Sequence, residues 1–399
     1  MKIAVIFDAK SKGGGGYFQS LNSALLLKKL ENNDTNFIFI TPDKKTSIRL
    51  KNEELNTIFF SKILHTKFFY QIVQVNFIKI LLDFFKIKNP FMRFLKKNNF
   101  DFVIFLGPSW FIKLCDEINF ISSIYDINFK LDNHFPEYKS SIVFDSKNLI
   151  VKKSVEHAFK ILVDTQRSKK ELIEYYNCPD KKIIVQPFTP LIPNIDKKIN
   201  HKELLNILGL KNKKFFFYPA QFWAHKNHKY IIDALKILQQ NKNDIDFVFC
   251  GSDKGNLNYI KNEIDNNHLQ DKIVIHKFIS DEEVIALYKN CIGLVMPTYV
   301  ARSTLPLYEA FFFKIPVFYS KGVLDESLEN LVTTIDLNNP QDLSNKINKL
   351  IDGNLDVNTK IEKAFNHYTQ SCGETLFLSN HQKIINEYAY QSKRWKNSH

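Results

Sequence analysis

Residues 296–320, MPTYVARSTLPLYEAFFFKIPVFYS, hold the residues best placed to do chemistry. An apolar run over 292–296 leads into a polar loop, and that loop ends at Pro306, a residue suited to the first turn of a helix. Glu309 follows one turn later on an otherwise apolar helix, Lys314-Ile315-Pro316 stops it, and a second apolar run begins at Val317. The pattern reads as strand, loop, helix, strand. In open α/β sheets ligands bind at the carboxyl ends of strands. Free backbone N–H groups at a helix start suit a phosphate, so the amides of Ser303, Thr304 and Leu305 are candidates for holding one. Ser303 or Thr304 also suits as the helix cap, which is compatible with that role. A lone carboxylate near such a site, Glu309, fits a ligand carrying hydroxyls, from which it accepts two hydrogen bonds. The competing reading is a surface carboxylate favoured by the helix dipole. The apolar flanks of Glu309 argue instead for burial beside a ligand.

The elements that must position these residues repeat along the chain. KIAVIFDA is followed by a glycine-rich turn and a helical pattern over 21–30, and NFIFIT, FDFVIFLG, FISSIYD, AFKILVDT and KIIVQPF follow with helices between several of them. A second set begins after residue 200: KKFFFYPA, DIDFVFCG, KIVIHKF, CIGLVMPT, IPVFYS and LVTTID. This is the βα alternation of parallel sheets covered on both faces. Residues 187–200 hold three prolines and no periodicity, so the interdomain linker belongs there. The division expected is an N-terminal domain over 1–190, a linker over 191–203, a C-terminal domain over 204–373, and a terminal helical segment over 374–399.

A chain of 399 residues with 44% hydrophobic content is long for one core. The five cysteines, at 115, 178, 250, 291 and 372, have no paired spacing, which argues against a disulfide framework or a zinc site and fits a reducing cytoplasm. No apolar stretch reaches the roughly 18 residues that span a bilayer. The N-terminus reads as a first strand rather than a signal peptide. The formal charge of +13 admits nucleic acid, anionic lipid or an anionic substrate. Lys, Asn and Ile are abundant throughout, a compositional bias that accounts for much of it.

The 296–320 segment resembles the donor-site motif of the GT4-type (group 1) glycosyltransferases of the GT-B fold. The match runs through Pro306, Glu309, Ala310 and Ile315-Pro316-Val317. The family pairs two glutamates across seven residues. Glu309 matches the second, whereas Ala301 occupies the first position, and Ala301-Arg302-Ser303-Thr304 is similar to a GPTN loop found in one branch. Four more segments resemble the family in the same order: 161–188, 215–238, 247–256 and 274–290. The resemblance implies an α/β GT-B architecture, two Rossmann-like parallel-sheet domains facing each other across a cleft, with the terminal helix returning to the first. It implies a retaining, metal-independent enzyme with no cofactor. The enzyme would move a hexose-type sugar from a UDP- or GDP-linked donor to a glycan or lipid-linked acceptor, in surface polysaccharide (lipopolysaccharide, O-antigen or capsule) biosynthesis.

Negative charge builds on the leaving diphosphate as the glycosidic bond breaks, so electrostatic stabilisation there is the largest catalytic term. No D-x-D stands at a strand end, and in this fold cations and helix starts take the metal's place. The resemblance gives the diphosphate to Lys226, and Gln221 stands where the family often has Arg, a loss that Arg302 compensates from the opposite loop. Glu309 holds the ribose, Phe278 and Ile279 flank the nucleobase, and Gly14 and Gly15 approach the donor phosphate or acceptor. Tyr125 stands where the family has His. The following Asp126 is the candidate catalytic or sugar-orienting carboxylate, with His134 a candidate acceptor contact. The catalytic set is Asp126, Lys226 and Glu309. Competing readings are a solvated Lys226, core packing for Phe278 and Ile279, a flexible turn at the glycines, and local loop hydrogen bonds for Asp126 and His134.

Residues 60–97 differ in kind, with eight Lys/Arg against one Asp and nine Phe/Tyr. Gln71, Gln74, Lys79, Asp83 and Lys86 make a narrow polar stripe at near-helical spacing. Such a helix lies on an anionic membrane surface, giving a cytoplasmic protein peripheral on the inner face of the membrane; the alternative is a helix buried against the sheet. A GT-B protein that binds sugar nucleotide or glycan without turnover remains as a second function. Nucleic acid is not an expected partner, because no recognition module is present.

Overall fold

The structure is a computed structural model that describes all residues except 10–13, 74–86, 191–199, 241–243, 278 and 397–399. Most of the polar stripe proposed for 60–97 therefore lies outside the described residues. The chain forms two compact units: Met1–Leu131, Ser140–Thr189 and Glu374–His399 in the first, Asp132–Lys139 and Pro190–Gly373 in the second.

The first unit is built on a seven-stranded parallel sheet. Its strands are β1 (Lys2–Ile6), β2 (Asn36–Thr41), β3 (Thr57–Phe59), β4 (Phe102–Phe105), β5 (Phe120–Ser123), β6 (Lys160–Val163) and β7 (Ile183–Val185). They lie in the order β3-β2-β1-β4-β5-β6-β7. Strands β4 and β5 are buried along their full length, which is why they read as unbroken apolar runs without alternation. The strand order reverses between β1 and β4. The next described helix after β1 is Gly15–Lys28.

Gly14 has φ 59 and ψ −151, a backbone region open to glycine alone, so the glycine there is required by geometry. The helix Glu374–Lys396 belongs to this unit. Tyr388 stacks on Phe102 with ring centroids 4.1 Å apart. Its hydroxyl donates to the Asp101 carbonyl at 2.8 Å, and Asn380 donates to Gln186 at 2.9 Å.

The second unit carries six parallel strands: β8 (Phe215–Tyr218), β9 (Asp246–Cys250), β10 (Ile273–His276), β11 (Gly293–Met296), β12 (Val317–Ser320) and β13 (Thr333–Ile335). Their order is β10-β9-β8-β11-β12-β13, reversing between β8 and β11. Gly293 stands in β11 because a Cβ there would lie 3.0 Å from both the Phe216 ring and the Pro316 carbonyl.

Two features depart from the division read in the sequence. A helix, His201–Ile207, begins within the segment read as linker. Residues 132–139 also group with the second unit although both flanks lie in the first. Glu137 holds them there through His225, a partner 88 residues away that no local pattern reveals.

Gly251, just past β9, fixes the path of the loop leaving β8. A Cβ on it would sit 2.3 Å from the Ala220 carbonyl oxygen and 2.8 Å from the Gln221 Cα, so backbone must move. Gly251→Ala should destabilise the second unit by about 1–3 kcal/mol, read as a lowered Tm in thermal denaturation. An unchanged Tm would mean the loop relaxes freely.

Candidate functional site

The loop leaving β8 carries Gln221 and Lys226. Gln221 accepts a hydrogen bond from the Trp223 indole at 3.0 Å. A single helical turn, Ala224–Lys226, ends at Asn227, which takes a left-handed conformation (φ 53), and the helix His228–Gln240 follows. The buried Tyr218 hydroxyl donates to the Lys226 carbonyl at 2.7 Å. The His225 carbonyl accepts from the Tyr299 amide at 2.9 Å and from the buried Thr298 hydroxyl at 3.3 Å. These two bonds tie the loop after β8 to the loop after β11.

His228 lies fully buried behind Lys226, stacked on Phe222 at 4.5 Å and packed against Tyr218 and Phe249. Burial, with the nearby Lys226 charge, pushes its pKa down to about 3, so the ring is neutral.

The loop after β11 brings Arg302, Ser303, Thr304 and Leu305 to the start of the helix Leu305–Phe312. Thr304 caps it, its hydroxyl accepting from the Leu307 amide at 3.3 Å. Ser303 and Leu305 are buried. Pro306 has no N–H and that of Leu307 is taken, so the Leu305 amide is the one the helix start can present. The Ala301 carbonyl accepts from the Tyr319 hydroxyl at 3.2 Å, and the Arg302 carbonyl from the Asp325 amide at 3.2 Å.

Glu309 sits one turn into the helix, and its Oε2 accepts from the Tyr288 hydroxyl at 2.7 Å. Burial pushes the Glu309 pKa up to about 7; the Asp281 carboxylate adds to the rise and the Tyr288 hydrogen bond opposes it. The carboxyl is therefore only partly ionised at neutral pH.

The remaining candidates are more dispersed. Phe278 lies outside the described residues. Ile279 is half-buried on the loop after β10, just before Ser280 closes a capping box with Glu283. Gly14, Gly15 and Asp126 belong to the first unit. There the first turn of the helix Gly15–Lys28 lies near Tyr125, a Cβ on Gly16 falling 3.9 Å from its ring. Tyr125 donates to the Leu106 carbonyl at 2.7 Å, and burial pushes its pKa up to about 12. Asp126 is exposed and accepts from the Asn128 amide at 3.0 Å. His134 is exposed against the Phe135 ring, within the second unit. Gln221 and Lys226 thus lie on the loop that leaves β8, and Arg302, Ser303, Thr304 and Leu305 on the loop that leaves the adjacent β11, with Glu309 one turn into the helix that follows. Among the described residues, no group of three or more His, Cys, Asp or Glu side chains is placed to hold a metal ion.

Sequence reasoning missed Tyr288 and the pair Glu137–His225.

Residues 200–370 match the family model described as glycosyl transferases group 1. A search of curated proteins finds no match. Among solved structures, a glycosyltransferase from Rickettsia africae is similar at 20% identity and TM-score 0.68, over 97% of this chain and 98% of that one. Anabaena Alr3699/HepE in complex with UDP and glucose is similar at 14% identity and TM-score 0.73, over 97% of this chain and all of that one (100%). The fold is GT-B. WaaG, a glycosyltransferase involved in lipopolysaccharide biosynthesis, shares it at 14% identity and TM-score 0.68, over 96% and 99% of the two chains. Within this GT-B chain the family match covers the second unit's six-stranded sheet and both loops that leave β8 and β11.

The raised pKa of Glu309 has a definite sign. Its folded value, about 7, lies above the ordinary 4.5, so between those values the folded chain binds more protons than the unfolded one. Stability therefore falls as pH rises through that window. Glu309→Gln should match wild type near pH 4 and exceed it increasingly up to pH 7.5, by at most about 3 kcal/mol. Thermal melts across pH check this; a constant difference at every pH would contradict it.

Proposed function

We propose that this chain is a retaining hexosyltransferase. It takes a UDP- or GDP-linked sugar in the second unit and delivers the sugar to a glycan or lipid-linked acceptor of surface polysaccharide synthesis. The observation that carries the reading is that the loop bearing Lys226 and the loop opening into the Thr304-capped helix leave the adjacent strands β8 and β11 at the switch point and are tied through the His225 carbonyl, with Glu309 one turn into that helix and bonded to Tyr288. A switch point in an open parallel sheet is where nucleotides bind. The complexes of Anabaena HepE with UDP and with UDP-glucose, and the pathway named for WaaG, support this donor class and product class by analogy of fold.

Lys226 meets the diphosphate, whose charge grows as the bond from its oxygen to the anomeric carbon breaks. The Leu305 amide presents the helix start to the same group, and Arg302 adds a cation from the facing loop. Glu309 holds the ribose hydroxyls, and Ile279, with Phe278, flanks the base. In the first unit, Gly14 and Gly15 give an acceptor a close backbone approach, and Asp126 is its sugar-orienting carboxylate. Lys226, Arg302 and the helix start take the place of a metal in meeting the diphosphate charge, and the acceptor proton passes to the departing phosphate, so no strong external base is needed. That suits Tyr125, whose hydroxyl is committed to the Leu106 carbonyl with a pKa of about 12. The same commitment, with Ala301 at the first glutamate position, favours a second reading: binding of sugar nucleotide without turnover.

Donor hydrolysis or transfer decides between the two readings. In an assay run in EDTA, Lys226→Ala should lower kcat as well as donor affinity, because its partner gains charge in the transition state. Glu309→Gln should mainly raise KM, by about 1.5–3 kcal/mol in binding. Equal loss of kcat in both variants, or loss of all activity in EDTA, would overturn these assignments.

The same reading places the chain at an anionic membrane surface. Leu64 and Phe68 are 75% and 65% exposed, one helical turn apart on the helix Ile63–Val73 and flanked by the exposed Lys62 and Lys67. Lys88 and Lys96, by contrast, both pair with Glu117. Anionic vesicles should therefore cosediment the protein in low salt, and Lys62→Glu with Lys67→Glu should release it. Cosedimentation unchanged by that double variant would contradict the placement.

A further inference from the structure

The loop that carries Lys226 is gripped from a distant part of the chain. Residues 132–139 cross into the second unit, and their turn Pro136–Tyr138 presents Glu137 to His225. Glu137 Oε1 accepts from the His225 amide at 3.2 Å and also pairs with the ring Nδ1. Both side chains are nearly closed to solvent, 5% and 10% exposed. Rings close around the pair: Tyr138 lies parallel to His225 at 6.1 Å, Trp223 at 6.4 Å, and Phe135 rests on Tyr299 at 5.6 Å. Burial alone would raise the Glu137 pKa, but the His225 ring and amide outweigh it and the pKa is lowered. The glutamate is thus a carboxylate, and a carboxylate bound to Nδ1 fixes the ring's orientation and places a proton on Nδ1.

The consequence falls on the next residue. The His225 carbonyl is held by Tyr299 and Thr298, and the Lys226 carbonyl by Tyr218. The His225 amide and ring are held by Glu137. With the peptide groups on both sides of it anchored, the Lys226 Cα cannot swing. A long flexible side chain reaches one point reliably only from a fixed base, and a pre-ordered base reduces the entropy lost on binding.

We propose that Glu137, acting through His225, is a positioning residue for Lys226 in diphosphate binding. The inference rests on the donor reading given above. The test titrates UDP and GDP calorimetrically into the full chain. Lys226→Ala should weaken whichever binds by at least about tenfold. Glu137→Met, which keeps shape but removes the acceptor, should weaken it by about tenfold, while Glu137→Gln, which keeps an acceptor oxygen, should stay within about threefold of wild type.

In the Lys226→Ala background Glu137→Met should cost nothing further, because its effect passes through that side chain. Should Glu137→Met fail to fold, the histidine side carries the same comparison. His225→Asn keeps a donor near the Nδ1 position and should bind like wild type, whereas His225→Leu should not. Glu137→Met binding as wild type, or losing equally with and without Lys226, would overturn the inference while leaving the donor reading intact. Lys226→Ala binding as wild type would bring down the donor reading and this inference with it.

Discussion

The parallel pairing of β8 with β11 is the constraint on which the rest of the site depends. The register sets Gly293 opposite Phe216 and Leu294 opposite Phe217. Two strands far apart in sequence thereby end side by side and pointing the same way. Because the strand order turns around at that seam, the chain leaves β8 toward β9 and leaves β11 toward β12. The two exit loops therefore head in opposite directions along the sheet, the arrangement at which open parallel sheets take their ligands. Gly293 makes the seam possible, since any larger residue would push against Phe216 and the Pro316 carbonyl. Gly251 does the same one strand over by letting the Ala220–Gln221 backbone pass.

The electrostatics follow from what this seam buries. Glu309 and His228 both sit where ionisation is penalised, and each responds by shifting toward its neutral form. The outcomes differ because their surroundings differ. Aromatic rings surround His228, and burial among them, with the Lys226 charge nearby, keeps it uncharged. Glu309 has a phenol on one oxygen, which limits the rise of its pKa and aims the carboxyl group. The seam thus carries a neutral ring beside the Lys226 loop and a phenol-bonded carboxyl one turn into the helix after β11.

Much of this was legible in the sequence. The apolar runs of KKFFFYPA, DIDFVFCG and CIGLVMPT became β8, β9 and β11 because buried parallel strands need no polar face. Pro306 and Thr304 marked the helix start because capping is local chemistry. Glu309 stood out because a carboxylate on a greasy helix has few explanations. Illegible were the partners supplied by topology. Tyr288 lies 21 residues before Glu309, and Glu137 lies 88 before His225. Nothing in ALYKN or HFPEY distinguishes a tyrosine or glutamate that meets such a partner from one that does not. The excursion of residues 132–139 into the second unit was hidden for the same reason: it is fixed by one buried pair and a few rings, not by a change in composition.

The helix Glu374–Lys396 has a bearing on how the protein comes into being. Phe102, in the middle of the first sheet, is covered by Tyr388, whose hydroxyl reaches back 287 residues to the Asp101 carbonyl. During synthesis the second unit leaves the ribosome complete while the first still lacks one of its walls. Domains generally fold in order of emergence, yet here the first unit to begin is the last to close. Until residues 374–396 have emerged, the face of Phe102 that Tyr388 covers and the Asp101 carbonyl stay open on a nascent sheet, and chaperones have that interval in which to shield them.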